Sequence, residues 1–346
     1  MGILLVSWGL AAILGFAAHR ASICTVRAVA EVLSTGRAYC LLSFGKSVLW
    51  VLTIILPLLW LGPTLGESIN GFALSSTSIL GGFMFGMGAA LNGGCSFSTL
   101  ARLADGQLRM LGTLCGFALG VLMEIEVARA GHVSQPLPAL PLIRSVVPIA
   151  GALALLLWAW AIWELRRLWL TRPRNVRLGE LALGRQYRLS TAAALMGIAN
   201  GMLYLFHGPW TYTGALRQGV EGLAIVGETP TPIRLSLFAA VFAGMALSTW
   251  QRGSFRLDRR ASPIWAVNLV GGALMGAGVI LVPGGNDALI LYSIPTFSRH
   301  ALPAYVAMLA GIGVVIVAMR VFTGIQMRID CHSDMCATEA DRQGRP

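Results

Sequence analysis

Apolar runs of about twenty residues, the length that crosses a bilayer as a helix, recur nine times along the chain. They fall at roughly 2–18, 39–61, 76–92, 108–128, 145–165, 190–206, 233–250, 263–282 and 301–323. No other feature narrows the fold so far. A backbone in lipid must satisfy its own hydrogen bonds, and repeated helix-length runs do so as an all-α bundle. Composition agrees: 12% of the 346 residues are charged, about half the share of an ordinary soluble domain. The first run lacks the basic n-region of a signal peptide and reads as a mature span.

The formal net charge of +11 raises the question of nucleic acid, and its placement answers it. Lys46 is the only lysine; the remaining cations are arginines lying mostly between spans. Gap 166–189 holds seven of them and gap 251–262 holds four. Putting gap 166–189 in the cytoplasm places 19–38, 93–107 and 251–262 there by alternation, and most of the arginine follows. That is the positive-inside pattern, with the N-terminus outside and the C-terminus cytoplasmic, as in an inner-membrane multi-pass protein. The basic excess is topology, and no nucleic-acid partner is implied.

The chain also repeats itself. "GGFMFGMGAALNGGCSF" (81–97) and "GGALMGAGVILVPGGND" (271–287) share Gly81/Gly271, Gly82/Gly272, Gly86/Gly276, Gly88/Gly278, Leu91/Leu281 and Gly94/Gly284 at an offset of 190. A weaker echo links 13–29 with 195–216 through Gly15/Gly197, Ala17/Ala199 and Thr25/Thr211. The first repeat spans 1–128, a linking span and basic loop 129–189, the second repeat 190–323, and a short polar tail, read as mobile, 324–346. By the alternation above, the breaks at 19–38 and 93–107 face the cytoplasm and their counterparts at 207–232 and 283–299 face outward. This predicts an inverted repeat of about nine transmembrane helices plus four short re-entrant helices whose tips meet near the midplane. Irregular backbone is tolerated there only where it is buried in protein or lines a cavity.

The candidate site residues lie at those tips. "LNGGCSFSTLARLADGQ" turns through Gly93 and Gly94 into Cys95 and Ser96 at the start of a short helix. "RASICTVRAVAEV" sets Ser22 as a candidate cap, with Cys24 and Thr25 in the first turn. Converging helix N-termini suit an anion. A free cysteine is equally at home as a small core residue, which is the reading kept for Cys40 and Cys115 inside spans. Arg27 and Arg102 either attract the anion or anchor to headgroups. Asn286 and Asp287 stand at the second-half tip, near Gly285, and His207 is read as structural. The tail "DCHSDMC" holds Cys331, His332, Asp334 and Cys336, at a spacing that falls short of a four-ligand metal site.

With those two cysteine stretches, the chain resembles the YeeE/YedE sulphur-transport family, over nearly its whole length except the tail. The resemblance implies uptake of thiosulfate or a related sulphur species through an hourglass-shaped pore lined by intramembrane cysteines, which places Cys24 and Cys95 in the conduction path. It also exposes a departure. Thiosulfate-importing members carry a further cysteine in the second half, where this chain has Gly285, and the counterpart of Cys24 falls near Trp210. The outer path would then rest on Asn286, Asp287, His207, Trp210 and backbone N–H groups, and a carboxylate at an entrance is awkward for a dianion. A cysteine at 285 is expected to fit without disturbing the fold.

The expected function is transport of a small sulphur-containing anion, with no enzymatic activity, cofactor or metal. No phosphate-binding loop suggests ATP-driven pumping. A disulfide oxidoreductase would want paired thiols in external gaps, where this topology puts none. The rival is a membrane sensor passing sulphur or signal through Cys331 and Cys336 to a cytoplasmic sulphurtransferase or thiol-based regulator.

Overall fold

The computed structural model describes residues 2–61, 70–129, 136–138, 140–172, 179, 184–224, 230–258, 263–324, 329–332 and 334–338. In chain order the elements are α1 (Gly2–Ala21), α2 (Thr25–Thr35), α3 (Tyr39–Leu61), β1 (Asn70–Phe72), α4 (Ser76–Leu91), α5 (Ser96–Ala104), α6 (Met110–Arg129), β2 (Pro136–Pro138) and α7 (Leu140–Leu170). There follow α8 (Leu189–His207), α9 (Tyr212–Leu223), α10 (Pro232–Arg252), α11 (Ile264–Leu281), α12 (Asn286–Ala288), a π turn (Leu289–Ser293), α13 (Ala301–Thr323), β3 (Ile329–His332) and β4 (Met335–Thr338). A helix stands at each apolar run. Six stretches among the described residues are long and apolar enough to cross a bilayer. The protein is an all-α membrane protein with two minor β pairings, β1 with β2 and β3 with β4.

Helix packing is written in the glycines. Apolar surface gives helices no reason to associate in lipid, so close backbone approach through small residues supplies the attraction. α4 and α11 run antiparallel, with Gly81 against Gly278 and Gly88 against Gly271; a Cβ at any of the four would lie 2.4–2.9 Å from the facing helix. These contacts interchange under the 190-residue offset. The offset also relates the parallel pair α4/α13, where Gly82 meets the Ala304 carbonyl and Gly86 that of Met308, to the parallel pair α6/α11. In that second pair Gly272 meets the Thr113 carbonyl and Gly276 that of Phe117. Ala304 and Thr113, however, are 191 apart, as are Met308 and Phe117. One residue has been added in the second half, and the π turn, which takes up an extra residue in a helix, lies in the interval.

The same exchange runs through the other contacts. α1 packs on α10 as α8 packs on α3, and α2 lies against α3 and α13 as α9 lies against α10 and α6. α7 stands outside this scheme and packs on α3. There the single lysine finds its purpose: Lys46 Nζ donates to Glu164 Oε1 at 2.6 Å and to Ser190 Oγ at 2.7 Å, pairing the fully buried Glu164 carboxylate.

The tail departs from expectation. Its described part is a β3–β4 hairpin, with Cys331 opposite Cys336 in register and the two sulphurs joined in a disulfide. They are therefore not free thiols. The hairpin is anchored where α8 begins: Gln186 Nε2 donates to the Cys336 carbonyl (2.7 Å), Leu189 N to the Asp334 carbonyl (2.8 Å) and Ser190 Oγ to Asp334 Oδ1 (2.8 Å). The short polar sequence conceals a cross-link and a docking surface that only the hairpin register brings together.

Candidate functional site at the two thiol turns

α2 and α5 begin at the same kind of residue. Cys24 and Cys95 are the N-cap residues, both with extended backbone, and neither side chain caps its helix. The cap is therefore Cys24 itself; Ser22 sits in the preceding turn with φ 51° and its hydroxyl faces the His19 carbonyl at 3.5 Å. Leaving the caps unmade frees both thiols for another partner. They adjoin each other and Ser98, whose hydroxyl lies 3.7 Å from Cys95 Sγ.

The turn carrying Cys95 is braced on every side. Gly93 takes φ +68°, and a Cβ at Gly94 would fall 2.7 Å from that of Ser98, so both glycines are demanded by the local backbone. Asn92 Nδ2 donates to the Gly94 carbonyl (3.0 Å) and Thr99 Oγ1 (2.8 Å), while Thr113 Oγ1 donates to Asn92 Oδ1 (2.6 Å). Arg102 reaches back to the carbonyls of Gly93 (2.6 Å) and Asn92 (3.3 Å). Arg102 thus braces the turn from within the protein and lines the large cavity.

Two cavities meet at the thiols. The larger, about 300 Å³, is lined by Cys24, Ser98 and four arginines, Arg27, Arg102, Arg109 and Arg252. The smaller, about 20 Å³, is lined by Cys95, Tyr212, Asn286 and Asp287. Ile23 and Phe97 line both and form the neck between them with the thiols. Asn286 Nδ2 points at Cys95 Sγ from 3.9 Å, and its Oδ1 has no hydrogen-bond partner. Thr25 Oγ1 and Tyr305 Oη approach each other without a well-formed bond. Unsatisfied buried polar atoms are costly and rare, and three of those among the described residues lie beside the thiols.

At the rim of the large cavity, Asp105 Oδ1 meets His19 Nε2 (3.2 Å) and accepts from Thr249 Oγ1 (3.0 Å) and Ser254 Oγ (2.7 Å). Burial raises this carboxyl, yet the hydrogen bonds outweigh it and hold it below its ordinary range.

Most of the expected site residues gather here: Cys24, Thr25, Gly94, Cys95, Ser96, Gly285, Asn286 and Asp287. Trp210 does not. It is buried at the start of α9 and donates Nε1 to the Arg234 carbonyl (3.3 Å), lining neither cavity. His207 bonds Ser7 Oγ at 2.7 Å, a structural contact. Asp287 is not an open charge at an entrance: it is buried, with Thr213 N–H donating to Oδ2 at 3.0 Å and the Thr213 hydroxyl held closely by Oδ1. Nor is there vacant room at Gly285, where a Cβ would come within 2.6–2.9 Å of the Thr213 side chain. Thr213 also meets Ser96 Oγ at 3.1 Å. Sequence reasoning missed Thr213, Tyr305 and the cavity arginines Arg109 and Arg252, which come from separate segments. Among the described residues, the nearest approach to a metal set, Glu31 with Cys331 and Cys336, offers no free thiolate, since the sulphurs are bonded together, and Glu31 accepts from Tyr39 N and Cys40 N.

Comparison with known proteins places these turns within a matched region. Residues 20–314 match the protein family described as Sulphur transport. A curated protein, the thiosulfate transporter TsuA of Spirochaeta thermophila, is 26% identical over 269 residues, covering 68% of this chain and 74% of that protein.

Proposed function

The chain belongs to the sulphur-transport family, and on that premise we propose that it imports thiosulfate, or a closely related sulphur-containing anion, along a path through the two cavities. The observation that carries this reading is the meeting of a small, mostly apolar cavity that holds Asn286 and Asp287 and a large arginine-lined one at Cys24 and Cys95. A thiol is a weak hydrogen-bond donor with a polarisable sulphur, suited to the soft terminal sulphur of such an anion. Arginines beyond the neck raise the local concentration of anions on that side. In this reading the large cavity opens to the cytoplasm, the face on which the arginine-rich gaps lie, and the anion enters past Asn286.

The same reading makes the exchanged helix contacts an inverted repeat. α2, α5 and α9, together with α12 and its π turn, are the re-entrant elements, and the remaining long helices span. Antiparallel α4 and α11 carry the axis that relates the halves, as in other transporters with a midplane site. Uptake of radiolabelled thiosulfate into cells that depend on it tests the function. Expression of the parent should restore uptake, and Cys24→Ala and Cys95→Ala, present in the membrane at parental levels, should not. Restoration by both variants would remove the thiols from the path.

A further inference from the structure

Asp287 is unlike most of the other shielded carboxylates, although Glu31, fully buried and held by the Tyr39 and Cys40 N–H groups outside either cavity, also has no ion pair among the described residues. Glu164 has Lys46 and Arg167, Asp105 has His19, and Glu221 has Arg217. Asp287, 4% exposed, has no cation among the described residues, and no arginine, lysine or histidine lines its cavity. Its oxygens accept from Thr213 alone among side chains. The titratable groups facing it are the Tyr212 phenol, from α9, and the Cys95 thiol, from the turn before α5. α3, α8 and the π turn present Phe44, Ser47, Met196 and Ile290 to the same cavity. An ionised carboxylate so placed is costly to bury, and an anion beside Cys95 would repel it further. A proton on Asp287 removes both penalties, so proton and anion favour each other's binding by reciprocal linkage.

Resting on the transport reading above, we propose that the protein is a proton–anion symporter with Asp287 as its proton site. A proton from the outer water forms an O–H bond at the Asp287 carboxyl as the anion enters the small cavity. That bond breaks as the anion passes the thiols, and the proton leaves to the water of the arginine-lined cavity. The Thr213 hydroxyl, held by Asp287 and 3.1 Å from Ser96 Oγ at the head of α5, favours the charged form of the carboxyl. Two residues along that helix, Ser98 lines the large cavity. The proton taken up from the outer water is released to the cavity water, so the carboxyl returns to its starting state.

The test uses purified full-length protein in liposomes loaded with a pH-reporting dye, with the membrane potential clamped at zero. Thiosulfate added outside should acidify the lumen as it enters. An inward gradient of about one pH unit should drive accumulation above equilibrium, to a ceiling of about tenfold per coupled proton. Asp287→Asn should abolish both the acidification and the proton-driven accumulation. Thr213→Val keeps the shape and deletes the hydroxyl that favours the charged carboxylate, so uptake should persist to higher external pH. This second variant serves where the first does not fold. Thiosulfate equilibrating in the parent without luminal acidification overturns the proposal, and so does proton-driven accumulation in Asp287→Asn or an unmoved pH profile in folded Thr213→Val. A parent that admits no thiosulfate at any pH sinks the transport reading itself, and this proposal with it.

Discussion

The turn at 92–95 and the turn at 282–285 occupy exchanged positions on α4 and α11, and each opens into a short helical segment buried in the protein. What they present differs at every step. The first offers Cys95, Ser96, Phe97 and Ser98, its carbonyls gripped by Arg102 and its far side facing four arginines. The second offers Gly285, Asn286, Asp287 and Ala288, with Gly284 at φ +139°, a carboxylate bound to Thr213 and no cation in its cavity. Two tips in exchanged positions thus carry opposite charge. On the proposed path the difference would divide the labour: one tip attracts anions, and the other admits them only with a proton.

The largest effect should come from the thiols. Cys95→Ala, which removes the side chain at the neck, should lower thiosulfate uptake by about ten- to a hundredfold, the range for losing a hydrogen bond to a charged group, about 1.5–3 kcal/mol. Cys24→Ala should fall in the same range. Unimpaired initial rates in either mutant would end the claim that the first turn carries the recognition chemistry.

Next come the packed atoms of the second turn. Gly285→Ala drives a methyl into Thr213 and should cost about 1–3 kcal/mol of stability through overpacking. Adding Thr213→Ala should return part of that cost, giving a favourable coupling in a double-mutant cycle measured by denaturation in detergent. Additive effects would show that Thr213 does not fill the space facing Gly285.

Arg252→Ala probes the basic cavity. A half-exposed charge contributes ~0.5–1 kcal/mol, so KM should rise about two- to fivefold, with kcat little changed. High salt should narrow the gap; a KM unaffected at low salt would leave the arginines out of the comparison. The smallest effect concerns Asp105. Its carboxyl is held below its ordinary range, so the stabilisation is present above the unfolded-state pKa, about 3.9. It fades as pH falls through the lower folded value. The melting-temperature difference between parent and Asp105→Asn should therefore shrink as the pH is taken down to about 3, and a constant difference would show that this ionisation contributes nothing.

Sequence made the helices legible, because an apolar run of spanning length has few other fates in water or lipid. It also made the thiol turns legible, since Gly93-Gly94 before Cys95 cannot serve a continuous helix. It could not reveal Thr213 against Gly285, two short-helix residues 72 positions apart whose contact depends on how α9 meets α12. Arg102 read equally well as a headgroup anchor until the Gly93 carbonyl appeared beside it. Trp210 was placed in the path by an alignment of halves that ignores which way an indole points. The disulfide was hidden for the same reason: Cys331 and Cys336 meet only through the hairpin register.

The glycine contacts carry one more consequence. Where Gly82, Gly86, Gly272 and Gly276 rest on facing carbonyls, a helix cannot slide by a small step, because the neighbouring residues would bring side chains onto backbone. Packed interfaces of this kind hold one arrangement or jump to another. The long helices are therefore suited to serve as a chassis rather than as pistons, and on the proposed path opening and closing would fall to the short segments and to the rotamers of Ile23 and Phe97. Motions of that size belong to the fast end of protein dynamics. If the proposed path holds, turnover would be set by how long the anion and its proton dwell at the throat, not by the swing of a domain.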